Sequence, residues 1–193
     1  TTFWDYQQLK MNLLLPFLAV LLGFAAALLL KAQSKSRMKL LLAFSGAFLL
    51  SAVTSEFLPE IYESGDRTYG AYLMGGVFLQ IILEFFSKGA EHGHVHIHKH
   101  ETAFPWLLFI SLCIHSFLEG FPIHQHNDMV YGVLIHKIPI AALLTMYLLQ
   151  SHFTKTQIIG FLVVFASMTP LGTVISNNVE LVSGYVYYIN AIV

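Results

Sequence analysis

Long apolar runs broken by short polar interruptions organise the chain, at about residues 12–30, 40–58, 70–86, 105–123, 129–150 and 157–176. Each run is long enough to cross a hydrocarbon core of about 30 Å at 1.5 Å rise per residue. A seventh begins near Leu181 and is still apolar at Val193, so it is expected to continue as a helix. Backbone groups in hydrocarbon must be satisfied within their own segment, and the runs lack the two-residue alternation of a membrane barrel. The pattern therefore predicts an all-α polytopic membrane protein, a helical bundle with six full spans and a partial seventh, forming one transmembrane domain over residues 1–193. The run Asn12 to Leu30 is too long for a signal-peptide core and has no small-residue cleavage site, which makes it a retained span.

Composition narrows the class further. Hydrophobic residues make up 56% of the 193 positions and charged residues 11%, against about 25% charged in a soluble domain. A water-soluble fold is excluded. The net charge of -1 argues against a nucleic-acid partner, because neutralising phosphates requires a basic excess. The single cysteine, Cys113, cannot form an intramolecular disulfide and reads as a small apolar packer. Basic residues sort by loop: Lys31, Lys35, Arg37 and Lys39, then Lys88 and Lys99, then Lys155, fall on one side. Glu60, Glu63, Asp66, Asp128 and Glu180 fall on the other, with Arg67 the only basic residue among them. The positive side faces the cytoplasm, which puts the amino terminus outside.

Residues 87–104 form a His-rich loop expected on the cytoplasmic side, with His92, His94, His96, His98 and His100 at every second position. Neutral imidazoles suit Zn, Cu, Ni or Fe, and such a strip can capture or sense ions without preset geometry. A solvated, low-complexity polar loop is the plain alternative.

Inside the runs, ionisable side chains are costly at bilayer depth unless they face protein or water. His115 and Glu119 are four residues apart and so share one helical face, where both can reach one ion. His136 and Lys137 precede Pro139 in the next run, and the proline leaves a backbone carbonyl without its helical donor. Two imidazoles and a carboxylate suit Zn, with water completing the shell. The alternative is that these groups only pair with one another. Lys137 beside such a site either replaces a second ion or pairs with Glu119. Glu56, one turn before Glu60, is placed to attract cations to an entrance or to sit solvated at the surface. His124 and His126 are weaker candidates in an outer loop, and Glu84 reads as an interfacial residue near Lys88.

His115-Ser-Phe-Leu-Glu119-Gly120 resembles the fourth-span signature of the ZIP (Zrt/Irt-like) metal permeases, His-Asn/Ser-x-x-Asp/Glu-Gly. The stretch from Ser45-Gly46-Ala47-Phe48-Leu49 through Leu58-Pro59-Glu60, the position of the His loop, and Met168-Thr169-Pro170-Leu171-Gly172 are similar to the family as well. Departures fall at Ile140 and Thr169, where many members carry acidic residues, and with Lys137 they imply that a second metal position is absent. The His-Lys pair is closer to a subfamily that includes animal plasma-membrane zinc importers. The resemblance implies eight helices in full length, a homodimer and an elevator-like motion carrying ions toward the cytoplasm.

The expectation is a transporter and not an enzyme, importing Zn, with Fe, Mn or Cd as other possible cargoes, through His115, Glu119 and His136, with Ser116 as an oxygen contact. A plasma or bacterial inner membrane is the expected location, and the partners are the ion, lipid and a second copy. Two other readings stay open: an intramembrane metal-dependent hydrolase using the same ligands on an activated water, and a metal sensor dominated by the His loop.

Overall fold

The computed structural model describes residues 3–30, 35–63, 68–87, 105–121, 123 and 129–178. Among them every regular element is helical: α1 (Phe3–Leu30), α2 (Lys35–Ala52), α3 (Leu58–Glu63), α4 (Tyr69–Ser87), α5 (Trp106–Leu118), α6 (Met129–Gln150) and α7 (Lys155–Asn178). A π-helical turn over Val53–Phe57 joins α2 to α3 without breaking the helical path. The expected apolar runs all reappear as helices, while the seventh run from Leu181 and the His-rich loop lie outside the described residues.

Segments within α1, α4, α6 and α7 are long and apolar enough to cross a membrane, whereas the apolar stretches Lys39–Ser55 and Trp106–Leu118 are shorter. α5 falls short of its expected span at residues 105–123: it has 13 residues and so covers about 20 Å. Its α-helical pattern stops at Leu118. Beyond it Gly120 N–H bonds to Phe117 O at 3.1 Å and Phe121 N–H to Leu118 O at 3.0 Å, the tighter i+3 pattern of a closing turn.

α6 is the centre of the bundle, packing on α1, α2 and α7, while α5 bridges α7 and α4. Its interior neighbours form one apolar cluster: Val20 of α1, Leu108 and Leu112 of α5, Ile140, Ala141, Leu144 and Leu148 of α6, and Ile158, Phe161, Leu162, Phe165 and Ala166 of α7. Lipid tails are as apolar as these side chains, so burial from water cannot drive the contact; close packing and interhelical hydrogen bonds must. Both are present. A Cβ on Gly23 of α1 would lie 2.5 Å from Ile138 O and 2.6 Å from Ala141 Cβ, so glycine is what lets α1 approach α6.

The α5–α7 crossing is closer still. A Cβ on Gly120 would fall on Thr169 O and 2.8 Å from Thr173 N, and a Cβ on Gly172 would fall on Phe117 O. The same faces are laced by hydroxyls at one-turn intervals along α7. Thr173 Oγ1 donates to Gly120 O at 2.9 Å and Ser176 Oγ donates to Phe121 O at 3.2 Å, which supplies donors to carbonyls just past the end of α5. On the other flank Ser111 Oγ donates to Leu83 O at 2.5 Å, tying α5 to α4.

Gly172→Ala is therefore expected to lower unfolding free energy in detergent micelles by roughly 1–3 kcal/mol through forced overpacking. Gly46→Ala, at a site with nothing within 4 Å, should instead raise it by about 0.5–1 kcal/mol, as alanine normally does within a helix. Equal effects of the two substitutions would contradict the close crossing.

Candidate metal centre

The chemistry-bearing residues of α5 and α6 meet where these helices and α7 converge. The spacing of α5 stacks His115 over Glu119, with His115 Nε2 3.9 Å from Glu119 Oε1. His136 arrives from α6, its ring centroid 6.4 Å from that of His115 and inclined at 63° to it. One ligand atom from each of His115, Glu119 and His136 lies within 4.8 Å of the other two. Bond lengths of about 2.0–2.1 Å around tetrahedral zinc place ligand atoms roughly 3.3 Å apart, so modest side-chain rotations bring the three into bonding range of one ion.

Lys137, next to His136, points into the protein with 1% of its surface exposed. An ammonium has three N–H donors, and three oxygens receive them: Glu119 Oε2 at 2.6 Å, Thr169 Oγ1 at 2.6 Å and Ser116 Oγ at 2.7 Å. The ring of Phe165 lies 5.0 Å from Nζ, adding a cation–π contact. Thr169 Oγ1 donates its own proton to Ser116 O at 2.8 Å, which leaves the Ser116 hydroxyl as donor in its 3.0 Å contact with Thr169 Oγ1 or its 3.3 Å contact with Phe165 O. The hydroxyls thus solvate the cation in place of water.

Glu119 is divided between two tasks. Oε2 neutralises Lys137 while Oε1 faces His115, so one carboxylate links the buried cation to the imidazole cluster. A cavity of about 30 Å³ opens beside it, lined by Gly76, Leu79, Gln80, Leu83, His115, Leu118 and Glu119. That is room for a water or a single ion.

His115, Glu119 and His136 are brought together as expected. Ser116 lies in the same layer, but its hydroxyl is engaged by Lys137 and Thr169. Of the two roles open to Lys137, the geometry gives pairing with Glu119. Glu56 falls in the π-helical turn, its side chain outside the described residues, as are His92, His94, His96, His98, His100, His124 and His126. Two participants are not singled out by charge. Thr169 is visible in the sequence only as a departure from the family pattern. Gln80 of α4, whose Oε1 is 3.1 Å from His115 Nδ1, is an uncharged amide in an apolar run, and an inventory of intramembrane amides would have found it.

Fold and site together define an integral, multi-pass helical membrane protein with a carboxylate–imidazole cluster between its helices. Residues 87–183 match the family described as the ZIP zinc transporters, and the chain belongs to that family. Among curated relatives, zinc transporter ZIP1 of Danio rerio is 33% identical over 87 residues, 42% of this chain and 29% of that protein. Zinc transporter ZIP1 of Takifugu rubripes is 31% identical over 94 residues, 46% of this chain and 31% of the relative. Its namesake in Homo sapiens is 35% identical over 72 residues, 34% and 22% of the two chains. The aligned stretches therefore cover less than a third of each relative's length. No solved structure gives a significant match.

Removing the cation while keeping the carboxylate should expose what Lys137 does. Lys137→Met is expected to destabilise the protein by roughly 3–5 kcal/mol, the usual consequence of leaving one member of a buried ion pair alone. Adding Glu119→Gln should restore most of that loss, measured by chemical unfolding in micelles. A neutral single variant would show that the pair does not hold the helices.

Proposed function

We propose that this protein carries divalent metal ions across the membrane toward the cytoplasm, zinc foremost, with Fe, Mn or Cd as further candidates. The observation that supports this reading most is the convergence of His115, Glu119 and His136 from two helices, with ligand atoms within 4.8 Å, in a chain of a family described as zinc transporters. In this reading those three side chains are the transient ligands of the ion.

The ligand set suits reversible binding. Two neutral imidazoles and one carboxylate bind zinc firmly enough to replace part of its hydration shell, and an incomplete shell leaves a position for water or for a passing ligand. Lys137 is paired with Glu119, which leaves one carboxylate oxygen and two imidazoles for a single ion at this site. Ser116 contributes by holding Lys137. Glu56 draws cations toward the outer mouth, and the histidines of residues 87–104 collect ions on the cytoplasmic side. The protein works as a homodimer in a plasma or bacterial inner membrane with its amino terminus outside, an orientation supported by the distribution of basic residues over the loops.

His115→Ala and His136→Ala should each abolish saturable zinc uptake into proteoliposomes while the protein still purifies as a folded species; unchanged uptake would remove the ligand assignment. Protons compete with metal for imidazole, whose ordinary pKa is about 6.5. Uptake is accordingly expected to fall as pH drops from about 7.5 to about 5.5, and a flat profile would count against imidazole ligands. Deleting residues 91–101 should leave uptake in place; loss of all metal interaction would favour a sensor built on the loop.

A further inference from the structure

Among the described residues the α4–α5 interface holds one feature that the proposed chemistry leaves unused. Gln80 sits in the apolar helix Tyr69–Ser87, before the residues that match the family. An amide at bilayer depth costs free energy unless it is hydrogen-bonded, so its partners are informative. One partner is the imidazole of a metal-ligand candidate: Gln80 Oε1 lies 3.1 Å from His115 Nδ1.

We infer that Gln80 is a positioning residue for the ion site, accepting the Nδ1–H of His115 so that the Nε2 lone pair is turned toward Glu119 and the ion. The inference rests on the ligand assignment proposed above. Four observations carry it. An amide oxygen only accepts, so a bond to it places the proton on Nδ1 and leaves Nε2 as the ligand nitrogen. Nε2 is the atom on the Glu119 side, 3.9 Å from Oε1. Gln80 also lines the same small cavity as His115 and Glu119. Finally, the register that brings Gln80 to His115 is held by a second rung one turn away, where Ser111 Oγ donates to Leu83 O at 2.5 Å. Because α4 and α5 are linked at both levels, the imidazole plane is fixed by the packing of two helices.

A neutral acceptor suits this position. Glu119 and Lys137 already balance each other, and a second carboxylate would add charge that no neighbouring cation compensates. Gln80 orients the ring without disturbing that balance.

The test uses the full chain with His92, His94, His96, His98 and His100 replaced by Asn, so that binding reports the intramembrane site. Zn²⁺ affinity is measured by competition with a chromophoric chelator. Gln80→Leu should weaken binding about 10–100-fold, the usual loss when the partner of a ligating histidine is removed. Gln80→Glu, which keeps an acceptor oxygen, should bind at least as tightly as the parent. Ring ¹⁵N NMR of the zinc-free parent should show His115 protonated at Nδ1, which needs no Gln80 variant to fold. Binding by Gln80→Leu within about twofold of the parent, equal weakening by Leu and Glu, or a parent proton on Nε2 would each overturn the inference. His115→Ala and His136→Ala in the same background separate the two claims. If they leave affinity unchanged, the ligand assignment fails; if they abolish it while Gln80→Leu does not, only the positioning role falls.

Discussion

An ammonium group buried within a membrane bundle has no water to solvate it, so the protein must supply every hydrogen-bond acceptor itself. Lys137 meets that requirement with three oxygens at 2.6–2.7 Å, two from α5 and one from α7, while its own backbone belongs to α6. The three helices are therefore tied at one point by a charge none of them can abandon. Close glycine contacts between α5 and α7 bring the acceptors within reach. The hydroxyl stripe of Thr169, Thr173 and Ser176 satisfies α5 backbone carbonyls along the same seam. Packing and polar solvation thus depend on one another at this crossing.

The same contact sets the charge of the candidate metal centre. Glu119 gives one oxygen to Lys137 and presents the other toward His115, so the cluster contains a compensated ion pair beside its imidazoles. An arriving dication then meets imidazoles and a partly neutralised carboxylate. As the proposed ion site, such a set would bind less tightly than one with two bare carboxylates, which favours release over storage. In the proposed transport role an ion must be held strongly enough to leave water and weakly enough to leave the protein, and a tethered cation beside the cluster would move the site toward that middle ground.

Helix positions are read readily from this chain because hydrocarbon imposes length and polarity on each segment, and α6 follows its run at residues 129–150 at both ends. The end of α5 is different. The apolar pattern runs on through Phe121 and Ile123, so hydropathy alone overshoots Leu118; the stop is written in Gly120 and Pro122, the glycine and proline that end helices, and it coincides with the contact between Gly120 and Gly172. At the site, the four-residue spacing of His115 and Glu119 is a local property and so is visible, whereas their meeting with His136 depends on how α5 and α6 cross. Lys137 poses two options in the sequence, and only the tertiary arrangement of Ser116, Thr169 and Glu119 selects one. Gln80 escapes a search guided by charge, since its importance arises from what it touches.

The most direct test of the account is anomalous diffraction at the zinc edge from crystals of the full chain grown with Zn²⁺. A peak between α5 and α6, within about 2.0–2.3 Å of ligand atoms on His115, Glu119 and His136, and lost in His136→Ala, is the predicted result. Zinc found only on the histidines of residues 87–104, with the cluster between the helices empty at saturating metal, would contradict it.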